Sequence, residues 1–182
     1  MTRFKIALLP LLALLIVFPL VSTAKDPIRT EEGIVKKVAD GDTVTAVTNE
    51  GTKLKVRLYG IDAPETAKVN RRTGAVSKPG QPFGEEAYRV LEHKVLGKRV
   101  KVVIMDVDRY SRLVGIIHLD NRDINREMVS EGYAWAYREY LHGPYASEYI
   151  NAENEARAKK LGLWQQMNPL PPWEFRKRLR KG

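Results

Sequence analysis

Apolar and polar residues alternate in two neighbouring stretches, Val44 and Ala46 in the first and Leu54, Val56 and Leu58 in the second, with the turn-forming Asn49-Glu50-Gly51 between them. A period of two is the signature of a half-buried strand, so residues 33 to 60 read as the start of a β-meander. If Leu54, Val56 and Leu58 face a core, then Lys55, Arg57 and Tyr59 face the other way and Arg57 is open to a ligand. Residues 66 to 82 are polar and carry Gly74, Pro79, Gly80 and Pro82. A loop of that length is usually functional or mobile.

The period then lengthens. Ala87, Val90, Leu91 and Val95 recur at helical spacing within Gly84 to Leu96, and Gly97 stands where a helix C-cap belongs. Strand alternation returns with Val100, Val102 and Ile104, followed by the apolar run Leu113 to Leu119 and the turn residues Asp120-Asn121-Arg122-Asp123. Asn125 to Glu131 reads as a short helix ending at Gly132. A last helix, about Ser147 to Leu161, sets Tyr149, Ala152 and Ala156 on one side and stops at Gly162. Five strands, a helix between the third and fourth and helices after the fifth fit an α+β, mainly β class: a five-stranded OB-fold barrel with about three helices.

The first 24 residues do not belong to that pattern. Arg3 and Lys5 precede an apolar run of 16 residues, Ile6 to Val21, and Ser22-Thr23-Ala24 supplies small residues before Lys25. This is the layout of a signal peptide, and the run falls short of the roughly 20 residues of a spanning helix. The expected organisation is a leader over 1–24, a barrel domain over 25–167, and a Pro-rich then basic tail over 168–182, in a secreted or periplasmic protein. The tail, with Arg176, Lys177, Arg178, Arg180 and Lys181, reads as a solvated terminus.

Composition narrows the chemistry. The 182 residues include 31 Lys and Arg against 22 Asp and Glu, a formal charge of +9 that becomes +7 without the two bases of the leader. A basic surface suits a polyanion, though solubility or an anionic membrane would account for it as well. The chain has no cysteine, which excludes disulfides, thiolate metal sites and cysteine nucleophiles. His93, His118 and His142 have no serine or acidic partner at a catalytic spacing and are assigned no role.

Two short acidic segments carry more. Asp40-Gly41-Asp42-Thr43 opens a strand, and Asp62-Ala63-Pro64-Glu65 follows the end of another. Each alone is ordinary turn chemistry. If their strands are neighbours, three carboxylates converge at one end of the sheet, a costly arrangement unless a cation or arginines neutralise it. Oxygen ligands without imidazole or thiolate favour calcium or magnesium over zinc. Arg57, five residues before Asp62, and Arg112, in Asp108-Arg109-Tyr110-Ser111-Arg112, can grip a phosphate and stabilise charge growing on its oxygens.

The order of Asp42 in D-G-D-T, Arg57, Asp62 and Glu65 in R-L-x-G-I-D-A-P-E, and Arg112 in D-R-Y-x-R resembles the staphylococcal-nuclease-like (thermonuclease) family over about residues 33 to 164. The resemblance implies a calcium-dependent hydrolase of DNA or RNA leaving 3′-phosphorylated products. It implies that Asp42, Asp62 and the backbone carbonyl of Ala63 bind Ca2+. It further implies that Glu65 positions or deprotonates the attacking water while Arg57 and Arg112 bind the scissile phosphate. Staphylococcal nuclease has threonine at the place of Ala63, so a backbone ligand survives there and a hydroxyl contact does not. Tyr137 and Tyr140 fall near the tyrosines that the family sets against the nucleotide, whereas Trp135 reads as core. The rival reading is a non-catalytic OB-fold protein of the cell envelope that holds nucleic acid or oligosaccharide without cutting it. Presence of all three acids and both arginines favours the enzyme.

Overall fold

A computed structural model describes residues 26–70 and 72–181; the leader expected over 1–24 lies outside them. The elements run β1 (Arg29–Asp40), β2 (Thr43–Val47), β3 (Lys53–Leu58), β4 (Ile61–Asp62), β5 (Lys68–Val69), β6 (Val76–Lys78), α1 (Gly84–Val95), β7 (Arg99–Val107), β8 (Leu113–Leu119), β9 (Arg122–Asp123), α2 (Ile124–Ser130), β10 (Trp135–Ala136), α3 (Pro144–Ala158) and α4 (Pro172–Leu179), with 3-10 turns at Arg138–Tyr140 and Gly162–Gln165.

The long β1 serves two partners. Its first half, Arg29 to Ile34, pairs antiparallel with β7, and its second half, Ile34 to Asp40, pairs with β2. Register shifts between Val35 and Lys37 and between Val38 and Asp40 bend the strand between them, as bulges do. Antiparallel β2–β3 and β7–β8 pairs extend each side, and a parallel β3–β8 pair of three residues closes the sheet. The result is the five-stranded barrel expected from the sequence. Val35, Val44, Val56, Val102, Ile104 and Ile117 fill it. Helix α1 lies on β1 through Ala87, Leu91 and Val95, and α2 packs against β8 and α3.

The parallel seam has a polar staple. Asn125 of α2, fully buried, accepts from the Ile117 amide at 3.0 Å and donates to the carbonyls of Tyr59 at 3.0 Å and Gly115 at 3.1 Å. Three backbone groups at the closure are thereby satisfied by one side chain, which a buried irregular junction requires.

Four differences from the sequence reading have physical reasons. Strand β1 begins at Arg29, not 33, because β7 supplies its ladder while Arg-Thr-Glu-Glu shows no apolar alternation. The polar stretch 66–82 contains the exposed hairpin β5–β6. Helix α3 starts at Pro144, where proline fits the first turn without losing a bond. Residues 168–182, read as a solvated tail, contain a fourth helix, α4. Among the described residues no helix is long and apolar enough to cross a membrane.

Candidate active site

Asp42 sits in the two-residue turn from β1 to β2. Gly41 beside it is required by packing, because a Cβ there would lie 2.7 Å from the Ala63 Cβ and 2.8 Å from the Ala87 Cβ. That close approach carries the turn against the 62–65 segment. The Asp42 carboxylate, 6% exposed, accepts the Ala63 amide on Oδ2 at 2.9 Å and the Thr43 hydroxyl on Oδ1 at 3.1 Å. The D-G-D-T and D-A-P-E segments are thus joined directly.

Asp62 ends the two-residue strand β4, paired with β10 through Trp135, and its side chain is fully buried. A buried carboxylate needs cationic or hydrogen-bond partners, and two guanidiniums supply them. Arg57 Nη2 lies 2.6 Å from Asp62 Oδ1 while its Nη1 rests against Asp42 Oδ2, so one arginine bridges both aspartates. Arg176 of α4 is the second, with Nη2 at 2.7 Å from Asp62 Oδ2 and Nη1 at 3.1 Å from Oδ1.

Glu65 is held through its backbone, and its side chain is partly exposed. Its amide donates to Gln81 Oε1 at 3.1 Å and its carbonyl accepts from the Gln81 amide at 2.8 Å. The start of α1 presses on the same peptide, since a Cβ on Gly84 would fall 2.2 Å from the Glu65 carbonyl oxygen. The carboxylate is 31% exposed and accepts from Arg176 Nη1 at 2.8 Å. Burial works against charge on Arg176, but the hydrogen bonds and charges of Asp62 and then Glu65 outweigh it and raise its already high pKa.

Arg112 is on the same outer face of the barrel and is not brought into contact with the acids. The β3–β8 register sets Arg57 opposite Val114, so Arg112 projects to the Arg57 side two residues earlier on the neighbouring chain. Its guanidinium donates through Nε to Asp108 Oδ2 at 2.7 Å. Burial acts to raise the Asp108 carboxyl, yet bonds from the Arg112 amide and side chain and the Tyr110 amide hold it below the usual range.

Tyr137 and Tyr140 meet edge to face at 4.8 Å between ring centroids. Burial, then the Asp62 charge, push the Tyr137 hydroxyl upward; Tyr140 is 52% exposed. Trp135, as expected, is core, packed edge-on against Trp164 at 4.4 Å. The sequence reading missed Gln81, Trp173 and Arg176. Pro172 in the first turn, Glu174 near the start and three bases near the end mark a short helix, but nothing local tells Arg176 where to go.

A closed barrel that gathers three acids and two arginines at one end has the groups to bind a phosphodiester and activate water against it. The sequence model described as "Staphylococcal nuclease homologue" matches residues 55–166. A Haemophilus influenzae protein named "Uncharacterized endonuclease" is 36% identical over 177 residues, covering 97% of this chain and 88% of its own length. The "Micrococcal nuclease" of Shigella flexneri is 36% identical over 154 residues, 80% of each chain, and "Protein ParB" of Escherichia coli is 34% identical over 187 residues, 97% of this chain and 95% of its own. The chain belongs to the staphylococcal nuclease family.

Proposed function

We propose that this protein is a calcium-dependent nuclease that hydrolyses phosphodiester bonds of DNA or RNA at the end of the barrel where Asp42, Asp62 and Glu65 meet Arg57. The observation that carries the reading is the bridge of Arg57 across both aspartates, which brings two sequence-distant acidic segments to one point. The names of the relatives, two endonuclease or nuclease by title, agree with it.

The donor set fits calcium. Asp42 and Asp62 are hard carboxylates facing one arginine, the Ala63 peptide is tied to the first of them, and oxygen-rich flexible sets suit calcium better than magnesium. Among the described residues no three or more His, Cys, Asp or Glu gather in ligating geometry, so two carboxylates, the Ala63 carbonyl and water would share the ion. Calcium held there would draw charge from the phosphate oxygens as the bond to phosphorus forms. Glu65, open to solvent, orients water and takes its proton. Arg57, seated on Asp42 and Asp62, puts positive charge beside the phosphate, and Arg112 reaches it by exchanging Asp108 for a phosphate oxygen. Tyr137 and Tyr140 supply ring faces for a base. Cleavage should stop with a calcium-selective chelator and return with calcium but poorly with magnesium; undiminished activity under chelation would refute the metal assignment.

A basic stripe leads to the site. Lys53, Lys55 and Arg57 alternate on the outer face of β3, against the buried Leu54, Val56 and Leu58, and Lys37 stands one strand beyond Lys55 across Thr45. Like charges gathered on one face of the sheet make a positive patch that attracts a polyanion. The double substitution Lys53→Gln and Lys55→Gln should weaken binding of single-stranded polymer and reduce its log–log salt slope by about 1.4, two contacts at about 0.7 each. Fluorescence titration across a salt series reads the slope, and an unchanged one would return the stripe to solvent.

A further inference from the structure

The chain beyond residue 166, where the family match ends, turns back over the site. Gln81, which fixes the Glu65 peptide, also donates from Nε2 to the Leu170 carbonyl at 2.9 Å. Pro172 is buried. Trp173 sits edge-on to Trp135 at 5.6 Å and lies flat on Tyr137, ring centroids 5.1 Å apart and planes within 1°. One turn later, Arg176 takes both oxygens of Asp62 and one of Glu65.

We propose that α4 is an internal competitor for the active site, in which Arg176 holds the carboxylates that a divalent cation and the attacking water need, and Trp173 covers the tyrosine face that a nucleobase needs. The proposal rests on the calcium-nuclease reading and adds its regulation. Arg176 engages both Asp62 oxygens, Oδ1 together with Arg57 and Oδ2 by itself, and inner-sphere coordination through Oδ2 requires the Arg176 fork to open. The Glu65 oxygen that accepts from Arg176 is at the same time occupied by the guanidinium rather than by a water. An indole stacked flat on a phenol occupies the surface on which a base would stack. The cap is also built to release. A helix of eight residues has little stability alone, the Arg176 side chain is 37% exposed, and Lys177, Arg178 and Arg180 stay in solvent, available to an incoming phosphate chain.

If the site is open for a fraction of the time, apparent ligand affinity falls by that fraction. Calorimetric calcium titration of the full chain without nucleic acid tests this directly. Arg176→Gln, which keeps side-chain length but loses the charge, should bind calcium about tenfold more tightly or better, for a cap closed about nine-tenths of the time or more. Trp173→Ala, which leaves the charge at the carboxylates untouched, should shift affinity in the same direction. In the wild type, calcium with a nucleoside 3′,5′-bisphosphate should speed hydrogen exchange of amides 173–179. Equal or weaker calcium binding by Arg176→Gln and Trp173→Ala, or amides that stay protected at saturation, would overturn the cap while leaving the nuclease reading intact. Calcium binding by none of the proteins would remove the metal assignment and the cap with it.

Discussion

Glu65→Gln is expected to slow single-turnover cleavage by about 10² to 10⁴ while leaving affinity for a nucleotide inhibitor nearly unchanged. The substitution keeps the shape of the side chain and removes its capacity to take a proton. The backbone of residue 65 is fixed by Gln81 and by the close approach of Gly84, not by its own carboxylate, so its position survives. What changes besides basicity is the contact with Arg176, which retains both bonds to Asp62. A wild-type rate at saturating calcium would show that another group activates the water.

Arg57→Ala should damage both chemistry and folding. Arg57 is 15% exposed and bridges Asp42 with the fully buried Asp62; Asp62 would keep Arg176, but the buried Asp42 would lose its cationic partner, a loss that costs up to about 3 to 5 kcal/mol. Urea unfolding should therefore show a clear loss of stability, and cleavage by the folded fraction should fall by about 10² or more for want of phosphate stabilisation. Arg112→Ala offers the contrast. Its partner Asp108 is near the surface and keeps its bonds to the Tyr110 and Arg112 amides, so rate and nucleotide affinity should drop together with little change in unfolding. Equal stability losses in the two variants would contradict the bridging role given to Arg57.

The barrel was legible because its strands bury one face: Leu54, Val56 and Leu58 alternate inward as their period demands. The acidic site was legible for a different reason, that D-G-D-T and D-A-P-E each stand at a strand end where carboxylates can converge, and the structure shows their joint as Asp42 accepting the Ala63 amide. The outer half of β1 was hidden because its ladder with β7 binds backbone, not side chains, and leaves Glu31 and Glu32 outside any apolar pattern. Arg176 was hidden because its acids lie 114 and 111 positions earlier, and a basic run reads the same whether it faces solvent or a buried aspartate. Gln81 looked like one more polar residue of a loop; only the fold sets its amide between Glu65 and Leu170.

The parallel seam between β3 and β8 carries a consequence for when activity can arise. Arg57 and Arg112 stand on opposite sides of it, on strands that touch through only three residue pairs and are pinned by Asn125. Hairpin contacts such as β2–β3 and β7–β8 join near neighbours in sequence, whereas this seam closes a loop of more than fifty residues and so carries the larger entropic cost. On the roles proposed for Arg57 and Arg112, a chain with both hairpins and all its helices but an open seam would have every candidate residue and no phosphate grip. Competence to cut is thereby tied to the completion of the tertiary structure rather than to the presence of its parts.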